Sequence, residues 1–244
     1  AKILIMAIVL ATISFCGYIA VRLLGDTRGE LVAGTIGGVV SSTATTVANA
    51  RRSIGYEAVL PLAAGAISAG GVSLVRTGFL VFTLAPSLVA TLIVPLGAGA
   101  AVMFGYALLL ARRPGQPREE KRAPKNPFDL DSVIKMALLL VGVAFLARAA
   151  SEVWGAGGLY LASVLSGLAD VDAVTVTVAG MLTNLTERTA ATAIGLAVLS
   201  NMVAKAAYAA MFGAKGFIVN LWIASALAIA AAIGLFMAVN GWLA

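Results

Sequence analysis

Two aspartates in an apolar stretch are the residues of this sequence best placed to do chemistry. Asp170 and Asp172 stand in GLADVDAVTVT, where almost every neighbour is Ala, Val, Leu, Gly or Thr. An ionised carboxylate at the centre of a membrane costs at least about 2.5–3.5 kcal/mol, so intramembrane acids usually serve a function. The two carboxylates are therefore predicted to bind a cation or to handle protons. The alternative is a structural role, in which they pair with Arg148, Lys205 or the backbone.

A second polar stretch, SSTATT, places five hydroxyl residues within six positions. Hydroxyl and carbonyl oxygens, together with carboxylates, suit hard cations such as Mg²⁺ and Na⁺. These hydroxyls line a polar path, or they serve helix packing by bonding to carbonyls four residues earlier. The candidate ion-binding residues, with the two aspartates as the candidate metal ligands, are Ser41, Ser42, Thr43, Thr46, Asp170, Asp172 and Thr175.

The two-residue spacing of the aspartates requires a distorted helix if both are to bind the same ion. On a regular helix, residues two apart point about 200° away from each other, so the carboxylates cannot share one ligand. A distortion between Ser166 and Asp172 would remove this obstacle, and Gly167 permits one. Arg76 and Lys205 are candidate counter-charges for such a site, or, as the alternative, both reach the lipid headgroups.

These residues lie in a chain whose composition is that of an integral membrane protein. Of its 244 residues, 61% are hydrophobic and 11% are charged, against about 25% charged in soluble proteins. The chain has no His and one Cys, which excludes imidazole metal ligands and an internal disulfide. The sequence does not identify a cofactor. It contains no phosphate-binding loop. Its net charge of +6 indicates basic membrane loops, not nucleic acid binding.

Runs of about 20 apolar residues, the length that a helix needs to cross a lipid bilayer, fit the chain eight times. The predicted spans are residues 3–24, 31–50, 57–80, 86–111, 132–153, 158–182, 189–212 and 217–243. A basic linker, residues 112–131, separates two membrane repeats at 1–111 and 132–244. The positive-inside rule puts this linker and both termini on the cytoplasmic side of the cell membrane. The sequence therefore predicts an all-α, multi-pass protein of about eight transmembrane helices.

The two halves of the sequence resemble each other when one is laid over the other. The alignment that places Ser41 over Asp170 also places Thr43 over Asp172, so hydroxyls in one half correspond to carboxylates in the other. Gly38 then matches Gly167, and Arg76 matches Lys205. Four spans per half is an even number, which predicts parallel repeats related by an axis along the membrane normal. We therefore expect a midplane cation site between two parallel four-helix repeats.

Two segments carry a resemblance to a known protein family. GGVVSSTATTVANARRS and GLADVDAVTVTVAGM resemble the membrane domain of unknown function at the C-terminal side of MgtC/SapB-type proteins in bacteria and archaea. The resemblance covers most of the chain, without the MgtC-like part itself. It implies a link to magnesium homeostasis. It also implies an MgtC-like domain or a second copy of the chain as candidate partners.

The leading functional hypothesis is a transporter or channel for a small solute, above all a cation such as Mg²⁺, Na⁺ or H⁺. The alternative is a non-transporting sensor or regulatory scaffold of the MgtC-associated type, in which the aspartates serve assembly. An intramembrane aspartyl protease needs two facing carboxylates, usually from separate helices, and only one helix here supplies deep acids. The protein is therefore predicted not to be an enzyme.

Overall fold

The computed structural model describes residues 26–55, 59–112 and 158–239. Within these ranges the chain is helical apart from short turns, and no β-strand occurs there. Seven α-helices cover these ranges, with short 3₁₀ turns at Pro86–Leu88 and Leu182–Asn184. The helices are α1 (Asp26–Ser53), α2 (Val59–Leu84), α3 (Val89–Ala111), α4 (Leu159–Gly167), α5 (Val171–Gly180), α6 (Glu187–Phe212) and α7 (Lys215–Val239).

By length and composition alone, five helical segments in the described ranges could cross a membrane, and the first of them includes the break at Ser41. They lie at five of the positions predicted from the sequence, and are Gly29–Ser53, Val59–Leu84, Pro86–Ala111, Glu187–Phe212 and Lys215–Ala238. The predicted spans at 3–24 and 132–153 lie outside the described residues, and so does nearly all of the linker. The chain is thus all-helical where described, with several helices suited to a bilayer, as a multi-pass membrane protein requires.

Glycine and proline mark two of the boundaries between these apolar helices. Gly55, just after α1, has a φ of 80°, which glycine adopts without steric cost, and this residue ends the helix. Pro86 begins the 3₁₀ turn after α2, where a missing backbone N–H costs no hydrogen bond. These two residues divide a nearly continuous apolar sequence into separate helices.

Helix α1 folds back on itself at Ser41. The backbone of Ser41 is extended, with φ −160° and ψ 105°, between helical arms at 26–40 and 42–53. Arg52 Nη1 donates to Glu30 Oε2 at 3.0 Å, although 22 residues separate the two. In a straight helix these residues would lie about 33 Å apart, so the arms must run back alongside each other. The single continuous span predicted here is therefore a pair of antiparallel arms.

Both arms of α1 approach the same turn of α2 closely. A Cβ atom at Gly65 would lie 2.5 Å from the carbonyl oxygen of Glu30 and 3.0 Å from the side-chain nitrogen of Asn49. Asn49 Nδ2 also donates to the carbonyl oxygen of Leu62 at 3.2 Å. Small residues allow such close helix packing in membranes. Gly65 thus lets α2 hold both arms at once, and a larger side chain there would push them apart.

The described residues form two compact units, and the two membrane repeats at 1–111 and 132–244 stay a prediction. Among the described residues, unit 1 contains 26–55, 59–73, 101–112 and 205–226. Unit 2 contains 74–100, 158–204 and 227–239. Each unit takes residues from both halves of the sequence, because the long helices α2, α3, α6 and α7 each contribute to both units.

Within unit 1, α2 and α7 begin at the same end. The backbone N–H of Ala214, just before α7, donates to Ser53 Oγ, at the end of α1, at 2.8 Å. Tyr106, near the end of α3, donates to Asn220 Oδ1 in α7 at 3.0 Å. Parallel four-span repeats predict that α2 and α7 begin on opposite faces of the membrane. These contacts therefore do not confirm parallel repeats, because a hydrogen bond cannot reach across about 30 Å of hydrocarbon.

Candidate functional site

The polar stretch SSTATT begins at the break in α1. The side chain of Ser41 caps the second arm of this helix, since its Oγ accepts a hydrogen bond from the N–H of Ala44 at 3.3 Å. Serine is favoured at such a position because its oxygen satisfies an amide that has no partner in the first turn of a helix. The hydroxyl residues that follow therefore occupy the first turns of the second arm.

The predicted sixth span is also broken, between α4 and α5. The backbone of Asp170 is extended, with φ −157° and ψ 116°, and its Oδ1 accepts a hydrogen bond from the N–H of Asp172 at 2.9 Å. The break falls inside residues 166–172, where the sequence permitted a distortion. Helices α4 and α5 have 9 and 10 residues, so neither is long enough to cross a bilayer alone.

The two breaks match in sequence position and in backbone geometry. Ser41 and Asp170 occupy equivalent positions in the alignment of the two halves of the sequence. Both residues have nearly the same φ and ψ, and both cap the helical segment that follows. A single extended residue between two helices sets the change of direction. Similar dihedral angles therefore give both segments a similar turn.

The two aspartates have different partners. Asp172 Oδ2 lies 2.6 Å from Arg76 Nε, and these side chains are 23% and 30% exposed. Asp170 is exposed, and one of its oxygens caps α5. The structure thus places Arg76, a candidate counter-charge from the sequence, beside Asp172. Among the described residues, Asp170, Asp172 and Arg76 together carry a single negative charge.

Lys205, the other candidate counter-charge, is buried in unit 1, with 5% of its surface exposed. In unit 2, two side chains of α6 hold the broken helix α4 in place. Asn201 Nδ2 donates to the carbonyl oxygen of Gly167 at 2.9 Å, and Ser200 donates to the carbonyl oxygen of Val164. Both carbonyls lie in the last turn of α4, and that of Val164 also accepts a hydrogen bond from the N–H of Leu168 at 3.2 Å. The two bonds from α6 fix the helix just before the break.

The hydroxyl residues fall into two groups by their hydrogen bonds. Thr45, Thr46 and Thr175 each donate to the carbonyl four residues earlier, at distances between 2.8 and 3.0 Å. Such bonds satisfy a hydroxyl within its own helix, as the packing interpretation expects. In the part of the chain that the structure describes, the side chains of Ser42 and Thr43 make no hydrogen bond, and both residues are buried. Ser42 and Thr43 are therefore better candidates for contact with an ion.

The residues within the described ranges contain no group of three or more His, Cys, Asp or Glu side chains that could hold a metal ion. An ion at Asp170 and Asp172 would therefore take its remaining ligands from hydroxyl, carbonyl or water oxygens. This donor set suits a hard cation and does not suit zinc or copper.

Glu30 and Arg52 form a second ion pair, which was not predicted from the sequence. Glu30 is 3% exposed, and Arg52 donates to both of its carboxylate oxygens. Arg52 also donates to Asn49 Oδ1 at 3.3 Å. The predicted span over 31–50 separated Glu30 from Arg52 by a full helix, which hid their contact. The run GGVVSS between them is the signal for a break, because small and hydroxyl residues interrupt helices.

Comparison with known proteins places the chain among its relatives. No solved structure matches it. An uncharacterized protein of Aquifex aeolicus (strain VF5) is 30% identical over 199 residues, which cover 78% of this chain and 84% of the relative. The family described as Domain of unknown function (DUF4010) matches residues 8–213. This match spans well over half of the chain, and the protein therefore belongs to the DUF4010 family.

Proposed function

We propose that the protein is a multi-pass membrane transporter or channel for a small solute, and that this solute is a cation. The proposal rests on the break at Asp170, where a helix too short to cross the bilayer begins with two carboxylates. Discontinuous helices in transporters commonly supply ion sites near the bilayer midplane. Non-helical backbone at that depth is tolerated where protein surrounds it or where it lines a water-filled path.

Asp170 is the proposed primary ligand. Its carboxylate is exposed and uses one oxygen to cap α5, so the other oxygen is available to an ion. Asp172 stands next to it, held by Arg76, and sets the charge of the site. That Ser42 and Thr43 add neutral oxygens to this site is a prediction from the sequence alone. A midplane site to which both repeats contribute stays a prediction from the sequence.

The pairing with Arg76 bears on which cation is carried. Two carboxylates alone would balance one divalent ion, but Arg76, 2.6 Å from Asp172, offsets one of the two negative charges. The remaining charge balances Na⁺ or H⁺. Mg²⁺ would leave an excess positive charge, which is unfavourable in surroundings of low dielectric constant. A monovalent cation is therefore the proposed substrate ahead of Mg²⁺.

Flux into proteoliposomes tests this proposal, with Na⁺, H⁺ and Mg²⁺ measured separately. Asp170→Asn removes the charge of the ligand but keeps a side chain that caps helices, so the fold should persist. We expect Na⁺ or H⁺ flux to fall about tenfold or more, as the loss of about 1.4 kcal/mol of ion binding implies.

The matched control is Glu187→Gln, which removes an exposed acid outside the proposed site and should leave flux normal. Wild-type flux in Asp170→Asn would remove this residue from the mechanism. Protein that reconstitutes in folded form but carries none of the three ions would contradict transport altogether.

A non-transporting sensor or regulatory scaffold is the second candidate function. The same ion pair favours it, because a carboxylate matched with Arg76 can serve assembly alone. The resemblance to MgtC/SapB-associated domains, with its implied link to magnesium homeostasis, belongs to this proposal. Its candidate partners are an MgtC-like domain or a second copy of the chain. Folded wild-type protein that carries no cation but binds a separately expressed MgtC-like domain would favour the scaffold.

A further inference from the structure

The broken segments also bear on how the chain crosses the membrane. We infer that residues 26–53 and 158–180 are re-entrant helical hairpins, each of which enters and leaves the bilayer on one face. Each repeat then crosses the bilayer three times, and the two repeats have inverted topology. This inference goes beyond the proposed function and does not depend on transport, because it rests on helix lengths, contacts and connectivity.

The first hairpin is closed by contacts between its two ends. Arg52 binds Glu30, and atoms of Glu30 and Asn49 both border Gly65 of α2. The arms have about 15 and 12 residues, which makes them about 22 and 18 Å long. Both are shorter than the hydrocarbon core, about 30 Å thick. A segment with such short arms and adjacent ends leaves the bilayer on the face where it entered.

The second hairpin follows from the matched geometry of the breaks. Asp170 has nearly the same dihedral angles as Ser41, so α5 turns relative to α4 as the second arm of α1 turns relative to the first. Helices α4 and α5, with 9 and 10 residues, are about 14 and 15 Å long. Each reaches about half way through the hydrocarbon core.

The long helices give an independent count of the crossings. A Cβ atom at Gly216 would lie 3.5 Å from Val59 Cγ1, so α2 and α7 begin side by side. The bond from Tyr106 to Asn220 brings the end of α3 to the same place, and the bond from Ala214 to Ser53 brings the end of α1 there. We name the membrane face at this end face A. Helix α6 also ends at face A, because a short turn joins Phe212 to Lys215 at the start of α7.

Between the end of α3 and the start of α7 the chain must therefore cross the bilayer an even number of times. Helix α6 crosses once, and the sequence predicts one further crossing at 132–153. Residues 158–180 then cross twice or not at all, and helices of 9 and 10 residues are too short to cross twice. The re-entrant hairpin satisfies this count, whereas the single crossing expected from hydropathy does not.

The repeat relation then requires inversion. The alignment that places Ser41 over Asp170 also places α2 on α6 and α3 on α7. Helix α2 begins at face A, whereas α6 ends there, so equivalent helices run in opposite directions. Three crossings per repeat is an odd number, as inverted repeats require. Inverted repeats with discontinuous helices are an architecture that secondary transporters use for alternating access.

The basic residues assign face A to the cytoplasm. Arg51, Arg52 and Lys215 lie at the helix ends on this face, and the basic linker starts there at Arg112. The positive-inside rule therefore makes face A cytoplasmic. Helix α7 then ends on the outer face.

Labelling of single cysteines distinguishes the two topologies. Cys16→Ser provides the background, and a membrane-impermeant maleimide is added to intact cells or to inverted membrane vesicles. Cysteine replaces one residue at a time, at Ile54, Ser87, Gln116, Asn184 or Lys215. Gln116 lies in the linker, outside the described residues, and the other four are exposed. We expect positions 54, 116 and 215 to react only from the cytoplasmic side. Positions 87 and 184 should react only from outside.

Parallel repeats make the opposite prediction at two positions, since they put 184 inside and 215 outside. Position 87 is the control, because both topologies put it outside. A reaction of 184 on the same side as 116, or of 215 on the other side, overturns the inference. Exposed neighbours, Thr183→Cys and Gly216→Cys, repeat the test in the same two loops if a variant fails to fold.

Discussion

The segments 26–53 and 158–180 share a backbone feature and differ in their chemistry. Each is broken by one extended residue, Ser41 or Asp170, whose side chain caps the helix after it. Buried hydroxyl residues follow the first break, whereas a carboxylate paired with an arginine follows the second. The matched breaks thus determine where polar groups enter the apolar part of the protein. The side chains, which differ, determine the charge found there.

The ion pairs of the two segments stand at different places. Glu30 and Arg52 join the two ends of the first segment, far from its break. Asp172 and Arg76 stand directly beside the break in the second segment. A pair at the ends closes the segment, and a pair at the break sets the local charge. Loss of the first pair should therefore cost stability, and loss of the second should alter the preference for ions.

Arg52→Ala should cause the largest effect, because it leaves Glu30 buried without its partner. Breaking a buried ion pair costs about 3–5 kcal/mol, and the partial exposure of Arg52 puts the expected loss at about 3 kcal/mol. Unfolding of the purified protein in detergent measures this loss. Glu30→Leu combined with Arg52→Leu should recover most of it, since no charge stays buried.

Arg112→Ala is the matched control for Arg52→Ala, because it removes an exposed arginine at the end of α3 and should leave stability nearly unchanged. A wild-type melting temperature in Arg52→Ala would show that the ion pair does not hold the two arms together.

Arg76→Gln should have a smaller effect on stability, about 1 kcal/mol, because its pair with Asp172 is partly exposed. Its larger effect should be on ion preference, since two carboxylates without the guanidinium can balance a divalent ion. We expect Mg²⁺ to raise the melting temperature of this variant more than Na⁺ does, in contrast to the wild type. Combining Arg76→Gln with Asp172→Asn should restore the wild-type result, in which Na⁺ raises the melting temperature more than Mg²⁺ does. If Arg76→Gln alone leaves this ion preference unchanged, the charge assigned to the site is contradicted.

Ser42→Ala combined with Thr43→Ala should have the smallest effect on stability, about 0.5 kcal/mol or less, because these hydroxyls make no hydrogen bond among the described residues. The shift in melting temperature produced by Na⁺ should nevertheless shrink. The matched control is Thr45→Ala with Thr46→Ala, which removes two hydroxyls bonded within their own helix. An equal loss of the Na⁺ effect in both double variants would refute a separate role for Ser42 and Thr43.

The sequence predicted the long apolar helices because hydropathy and length suffice to locate them. Their positions at 59–84, 86–111, 187–212 and 215–238 agree with the predicted spans to within a few residues. The break in α1 escaped prediction because both of its arms are apolar, and together they have the length of one crossing. Hydropathy does not distinguish a segment that crosses the bilayer from one that turns back.

The candidate site was predictable in its residues but not in its pairing. Asp170, Asp172 and Arg76 stand out in the sequence as charges within apolar segments. Which cation approaches which aspartate depends on the packing of segments far apart in the chain. The salt bridge between Asp172 and Arg76 joins residues from different halves of the sequence, and no local pattern specifies it. Which hydroxyl residues form hydrogen bonds and which do not likewise depends on the three-dimensional structure.

Cross-linking of cysteine pairs tests most directly whether both segments fold back at matched positions. In the Cys16→Ser background, one pair replaces Glu30 and Arg52, and the equivalent pair in the other half replaces Leu159 and Met181. The control pair has the same sequence separation as the first but lies in the continuous helix α7, where it replaces Lys215 and Met237. The reagent is dibromobimane, which becomes fluorescent when it joins two neighbouring thiols.

We predict fluorescent cross-links within single chains for both segment pairs and none for the control pair, whose residues lie about 33 Å apart along the helix. Dilution of the protein excludes links between chains. A link at 30 and 52 without one at 159 and 181 would contradict the matched geometry of the two breaks. The absence of both links would contradict the re-entrant hairpins.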